Sequence, residues 1–191
     1  MNDIAVKDNF FPPDLLFKIK EYLFNISKWH YPDNSKDFEG GVYWWTYLMG
    51  REDETLFQKD YLDPLIKKYF NKKNTKYTRT FFSMSNAKDK ARPHHDVGQP
   101  SVYNLLIYLS GDSLINNGTG FYIHKDKENC KPPCPHQPAC KEELLLHSHI
   151  GFRENRAIFF KSSIWHAPLQ WAGESSTRYS LCNFLSKVED V

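Results

Sequence analysis

Pro93-His94-His95-Asp96 is followed, seventy residues after its aspartate, by His166 in Trp165-His166-Ala167-Pro168, and then by Arg178-Tyr179-Ser180. In an extended strand alternate residues project from one face, so His94 and Asp96 can converge on a point while His95 turns away. A third ligand from a distant strand, His166, would complete a face of two imidazoles and one carboxylate. Such a set leaves roughly three positions open on an octahedral ion, which suits Fe(II) that must take a co-substrate and oxygen together. Alone, the His-x-Asp tripeptide carries little weight, because eight histidines and twenty-three acidic residues make chance occurrences common. Its weight comes from the order of the segments downstream of it: a β-rich run, a Phe-Phe strand, a histidine, and an arginine that opens a strand.

Outward from that segment, the chain from residue 79 reads as short β-type runs separated by turn residues. The runs are 80–84, 102–109, 120–123, 157–160 and 178–185, with Gly111-Asp112 and Asn116-Asn117-Gly118 as loops between them. Many short strands punctuated in this way indicate a sandwich or jelly roll. Residues 125–143 interrupt the pattern as an inserted loop. The first third reads as helical. Pro12-Pro13-Asp14 precedes Leu15, Leu16, Ile19 and Leu23 at helical spacing. A second helix is expected to open at Asp63-Pro64, with Asp63 as cap, and to run through Leu65, Ile66, Tyr69 and Phe70. The aromatic stretch Gly40 to Tyr47 suits core packing or a pocket wall. The expected architecture is α+β: one domain over 1–191, mainly helical support over 1–78, and a jelly-roll core over 79–188.

Twenty-five Lys and Arg against twenty-three Asp and Glu leave a formal charge of +2, and 40% of residues are hydrophobic. Fourteen Phe, eleven Tyr and five Trp supply far more apolar area than a solvated, disordered chain carries. The near-neutral balance argues against nucleic acid as a partner. Lys67, Lys68, Lys72, Lys73, Lys76 and Arg79 form a local exception, read as a helix end whose cations suit its dipole, followed by a solvated linker. No stretch has the roughly 20 apolar residues that a bilayer span needs, and Met1 to Asp8 holds no apolar secretory segment. No membrane association and a cytoplasmic location are therefore expected. Structural disulfides are not expected in that compartment. Three of the four cysteines fall in Cys130-Lys-Pro-Pro-Cys134-Pro-His136-Gln-Pro-Ala-Cys140. Three thiolates and an imidazole there could close a tetrahedral zinc site, although the spacing is not a usual one; the alternative is a Pro-rich surface excursion.

The order and context of His94, Asp96, His166 and Arg178 resemble those of the Fe(II)- and 2-oxoglutarate-dependent oxygenases, in particular the prolyl-4-hydroxylase-like branch. The resemblance covers about residues 79–186 at the level of motifs. It implies a double-stranded β-helix with His94, Asp96 and His166 as iron ligands, and Arg178 as the residue holding the distal carboxylate of 2-oxoglutarate. A guanidinium fork matches a carboxylate in a paired geometry that a lysine does not offer. Arg178 lies twelve residues after His166, further than is usual in that branch, and the turn Gly173-Glu174-Ser175-Ser176-Thr177 would absorb the difference. Period-two alternation from Arg178 places Ser180, Cys182 and Phe184 on the same face. Tyr108 corresponds to a tyrosine that contacts the same carboxylate, with Asn104 and Leu106 on its face; the alternative is a core tyrosine with some other hydrogen-bond partner. Phe160 resembles an aromatic wall of the co-substrate site. Trp165 could shape the substrate entrance or belong to the core. His147 and His149 are read as strand-edge residues, and His30, His95 and His124 as surface or satisfied polar groups.

The implied activity is hydroxylation of a C–H bond in a peptidyl substrate, a prolyl one included, or in a small molecule, with 2-oxoglutarate and oxygen consumed and succinate and CO2 released. Alkylated-nucleic-acid demethylases of the same superfamily carry a second arginine six residues after the carboxylate-binding one. Here Phe184 occupies that place, which weighs against base repair. Two rivals stay open: a cupin-like metalloenzyme of another reaction type, and a non-catalytic binding module stabilised by zinc.

Overall fold

The computed structural model describes residues 3–29, 44–47, 51–86, 93–96, 102–111, 117–125, 144–169 and 177–191. Along the chain run β1 (Ile4–Lys7), α1 (Pro13–Phe24), β2 (Trp44–Tyr47), α2 (Arg51–Phe57), a π-helical turn (Gln58–Leu62), α3 (Asp63–Phe70), β3 (Lys72–Asn86) and β4 (Tyr103–Ser110). They are followed by β5 (Gly118–His124), β6 (Leu144–Gly151), β7 (Ala157–Lys161), β8 (Trp165–Leu169) and β9 (Thr177–Asp190). Six strands form one antiparallel sheet in the order β1-β7-β4-β9-β3-β2, and three form a second in the order β6-β5-β8. The two sheets enclose one apolar layer, and the helices cover the other face of the larger sheet.

Alternation along single strands sorts side chains between these layers. On β4, Leu105, Ile107 and Leu109 enter the core shared with Phe10, Phe11, Ile19, Leu23, Leu62 and Ile66 on the helical side. The intervening Leu106 and Tyr108 face the smaller sheet and pack with Phe121, Phe152, Ile158 and Phe160. On β7, Ala157 and Phe159 go to the helical side while Ile158 and Phe160 go to the other. Phe159 is sandwiched between Phe70 and Tyr103, with ring centroids 5.0 and 4.8 Å away and near-parallel planes. The turn before β7 is held by Asn155, which adopts a left-handed φ of 61°. Its side chain accepts from the Phe11 amide and donates to the Phe11 carbonyl, tying the N-terminal segment to the sheet.

Several elements differ from the sequence expectation. Helical structure before α3 begins at Arg51, so Asp63 follows a helical turn as the first residue of α3 and Leu62, not Asp63, stands at the N-cap position. Pro64 explains the local geometry: it lacks an N–H and its ring crowds the carbonyl four residues back, and a wide π turn directly before it accommodates both. The helix ends on Asn71 in left-handed geometry, with Lys67 and Lys68 in its last turn. Lys72 to Arg79, expected as a solvated linker, instead belong to β3, which pairs with β9 from Lys72↔Asp190 onward. Cross-strand pairing over fifteen residues outweighs the local run of charge. β1, β2, β6 and β8 are further strands that the local residue pattern does not announce. His147 and His149 lie on β6, an edge of the smaller sheet. The Cys130, Cys134, His136 and Cys140 loop falls outside the described residues. Among the described residues no helix is long and apolar enough to cross a membrane.

Phe159 is buried and doubly stacked, so Phe159→Ala should lower stability by about 3–5 kcal/mol in urea unfolding. Phe17, on the exposed side of α1 at 62% exposure, should tolerate Phe17→Ala within about 0.5 kcal/mol.

Candidate metal centre

The segment holding His94 lies against β8 as an isolated antiparallel bridge, in which His94 and His166 exchange both backbone hydrogen bonds at 2.9 and 2.8 Å. A directly opposed pair projects its side chains to the same side, and the two imidazoles sit 4.5 Å apart between centroids. Two residues on, the Asp96 amide donates to the Ser162 carbonyl at 2.9 Å, which fixes the carboxylate beside them. His95 turns away, as period two requires, and meets the Trp165 ring edge-on at 4.6 Å. One ligand atom from each of His94, Asp96 and His166 lies within 4.8 Å of the others.

The protonation chemistry suits metal binding. His166 Nδ1 lies 2.9 Å from the Ile164 carbonyl, an acceptor only, so Nδ1 carries the proton and Nε2 presents a lone pair. That Nε2 is 3.5 Å from Asp96 Oδ2. Burial holds the His166 pKa down to about 4, helped by the neighbouring His94 and opposed by Asp96, so the ring is neutral at pH 7. The Asn104 side-chain amide donates to Asp96 Oδ2, orienting the carboxylate. Two imidazoles and one anchored carboxylate on one side of a cavity are the donors of a facial triad, and they fit a divalent iron.

The cavity beside the triad measures about 720 Å³ counting its open mouth. β9 supplies Arg178, Ser180, Cys182 and Phe184 to its wall, and β4 supplies Asn104 and Leu106. Phe160 lines the same cavity as the three ligand residues, its ring 4.8 Å from that of His166. The Cys182 thiol is pushed up to about 12 by burial, which keeps it protonated and unreactive at neutral pH.

Arg178 sets the far end. Its side chain is 5% exposed, Nη1 donates to the Gly118 carbonyl, and its guanidinium stands 5.5 Å from the Tyr108 ring. Nε is buried without a hydrogen-bond partner. Burial pulls its pKa below the ordinary value, yet a guanidinium stays cationic under any physiological condition. A buried cation with an unanswered N–H donor and a cavity in front of it is fitted to an anion such as a carboxylate. Gly118 is indispensable to this arrangement, because a Cβ there would run into the Ile150 carbonyl.

Two expected residues take other positions. Trp165 does not line the cavity: on β8 it alternates with His166 and packs on the opposite face against His95. Tyr108 lies beside Arg178, but its hydroxyl bonds to Thr119 Oγ1 at 2.7 Å, and it is Thr119 that reaches the cavity. Thr119, Pro168 and the β3 residues Phe81, Ser83 and Ser85 also line the space, and the sequence reading does not single them out. Period two along 80–84 groups Phe81 with Ser83, but only the β3–β9 pairing brings that face to the cavity.

No family model and no curated protein match this chain. Solved structures do. SnoN, the non-haem α-ketoglutarate-dependent epimerase from nogalamycin biosynthesis, known in complex with Fe3+, α-ketoglutarate and nogalamycin RO, superposes with a TM-score of 0.61 at 9% identity, covering 98% of this chain and 81% of that one. A prolyl hydroxylase from Trichoplax adhaerens, in complex with a peptide fragment of the hypoxia-inducible-factor oxygen degradation domain, gives 0.61 at 11% identity over 97% and 84%. An oxidoreductase of the 2OG-Fe(II) oxygenase family from Burkholderia pseudomallei gives 0.62 at 10% identity over 99% and 86%. With two packed antiparallel sheets and these likenesses over almost its whole length, the chain has the double-stranded β-helix fold of the 2OG-Fe(II) oxygenases.

Proposed function

We propose that the chain is an Fe(II)- and 2-oxoglutarate-dependent oxygenase that hydroxylates a C–H bond of a peptidyl or small-molecule substrate, releasing succinate and CO2. The observation that carries this reading is the pairing, across one cavity, of the His94, Asp96 and His166 donors with the buried Arg178 guanidinium. Iron with 2-oxoglutarate would supply the oxidative chemistry when bound. His94, Asp96 and His166 would hold the metal, with Asn104 fixing the Asp96 carboxylate and the Ile164 carbonyl fixing the His166 tautomer.

Arg178 would hold the distal carboxylate of the co-substrate through its Nε edge, with Ser180 beside it on the same face of β9. Tyr108 supports that cation with its ring and orients Thr119 with its hydroxyl. Leu106 and Phe160 form the apolar wall between the two ends, and with Phe184 they keep water from the reacting atoms. The SnoN and prolyl hydroxylase likenesses, one to an enzyme seen with nogalamycin RO and one to an enzyme seen with a peptide, support both substrate classes.

Anaerobic addition of Fe(II) and 2-oxoglutarate should produce the visible charge-transfer band of a chelated co-substrate, and oxygen should then yield succinate. His166→Ala should abolish iron-dependent succinate formation; near-normal turnover would refute the ligand assignment. Arg178→Ala should weaken 2-oxoglutarate binding at least ~30-fold, as truncation of one partner of a buried charge pair does. Insensitivity to that change would favour a cupin-like enzyme or a zinc-stabilised binding module.

The pH dependence has a definite sign. His166 titrates near 4 in the fold against about 6.5 unfolded, so the unfolded chain takes up a proton first. Stability of the metal-free protein should therefore fall as pH drops from about 6.5 toward 4. Urea unfolding of wild type and His166→Asn at pH 7, 6 and 5 checks this; the variant should show the shallower slope.

A further inference from the structure

Two side chains share the hydroxyl chemistry at the Arg178 end of the cavity, and only one of them reaches its wall. Tyr108 is fully buried, whereas Thr119 lines the space. The Tyr108 hydroxyl lies 2.7 Å from Thr119 Oγ1 and 3.4 Å from the Ile150 carbonyl, so one phenolic proton serves two neighbours. A carbonyl only accepts. A proton given to Ile150 would leave Tyr108 accepting from Thr119, whereas a proton given to Thr119 leaves the Thr119 hydroxyl hydrogen for another acceptor. Distance decides between them: 2.7 Å is the ordinary O–H···O separation, and 3.4 Å lies well beyond it.

The backbone brings Arg178 to the same place. Its Nη1 donates to the Gly118 carbonyl, which belongs to the peptide that joins Gly118 to Thr119. Its guanidinium stands 5.5 Å from the Tyr108 ring, and its Nε has no hydrogen-bond partner. Thr119 is itself well fixed. Its strand pairs with Ile150 on one side and Pro168 on the other, and its branched Cβ restricts the side chain to few rotamers. A carboxylate offers two oxygens with about four lone-pair sites, enough for an N–H and an O–H donor side by side.

We propose that Thr119 is the hydroxyl donor to the distal carboxylate of the co-substrate, beside Arg178, and that Tyr108 is a positioning residue that donates to Thr119 and does not touch the carboxylate. The three form a chain in which the phenol polarises the threonine hydroxyl toward the anion. Thr119 then helps to select a dicarboxylate keto acid over one that ends in a methyl group. The assignment rests on the oxygenase reading, which supplies the anion.

The full chain, loaded with Mn(II) under nitrogen, is titrated calorimetrically with 2-oxoglutarate and with 2-oxopentanoate, which has the same keto-acid head and a methyl group in place of the distal carboxylate. Mn(II) affinity, set by the triad, verifies that each variant is folded. Thr119→Val should weaken 2-oxoglutarate about tenfold or more, the effect of removing a hydrogen bond to a charged group, and leave 2-oxopentanoate within about twofold. Thr119→Ser should keep most of the wild-type preference. Tyr108→Phe should weaken 2-oxoglutarate by less than Thr119→Val does, and should add no further loss in the Thr119→Val background, since it acts through Thr119. Should Thr119→Val lose Mn(II) binding, Thr119→Ala takes its place. Unchanged 2-oxoglutarate affinity in the folded threonine variant, an equal loss for both keto acids, or a Tyr108→Phe loss that persists in full without the Thr119 hydroxyl overturns the proposal. If the Mn(II)-loaded wild type binds neither keto acid, it is the oxygenase reading that fails, and the role of Thr119 falls with it.

Discussion

β9 is hydrogen-bonded along both edges, to β3 on one side and β4 on the other, and most of the molecule depends on that. A strand paired on both sides cannot slip by one residue without exchanging its two faces. Tyr179, Leu181 and Leu185 therefore stay in the core beneath the helices, and Arg178, Ser180, Cys182 and Phe184 stay in the cavity. The same constraint runs outward through register. Tyr108 is opposite Ser180, Leu106 opposite Cys182 and Asn104 opposite Phe184, so the second wall is set by the first. The apolar packing that stabilises the fold and the polar groups that form the site are alternate residues of the same strands.

A buried charge is costly unless it is answered, and this cavity holds a carboxylate and a guanidinium at separate places along its length. Asp96 is answered by Asn104 and by the two imidazoles; Arg178 is answered in part, by the Gly118 carbonyl and the face of Tyr108. Such sites retain binding capacity because their polar groups are oriented by neighbours without being saturated by them. The glycine at 118 belongs to this economy of space: its strand approaches Ile150 closely enough for its carbonyl to face the guanidinium.

Much of this is legible in the residues. Alternation alone groups His94 with Asp96 and Arg178 with Ser180, Cys182 and Phe184, because period two is a property of the extended backbone and needs no tertiary information. The jelly-roll texture is legible from β-type runs and turn residues, and α1 from its apolar stripe and prolines. The remainder depends on contacts distant in sequence. The cationic run from Lys72 to Arg79 has no strand signal strong enough to outweigh its charge, and becomes a strand through its pairing with β9 along a fifteen-residue strand. Thr119 enters the cavity because β5 faces β4, and the Tyr108 hydroxyl is drawn to it; neither follows from local pattern. Trp165 is separated from its neighbour His166 because adjacent strand residues point to opposite sides, a rule that local reading could have applied there too.

The π turn from Gln58 to Leu62 has a bearing on how this part of the chain can vary. Phe57 and Leu62 are five residues apart and both buried, a spacing that an unbroken α-helix would place about 140° apart around its axis. The wide turn resets the angular phase, so that Phe57 behind it and Leu62 and Ile66 ahead of it address the same sheet while Tyr61 is left at the rim. Insertions and deletions between residues 51 and 70 are thus not equivalent to those in a loop: each would rotate one half of the helical segment relative to the other, exposing apolar side chains on whichever half lost its phase.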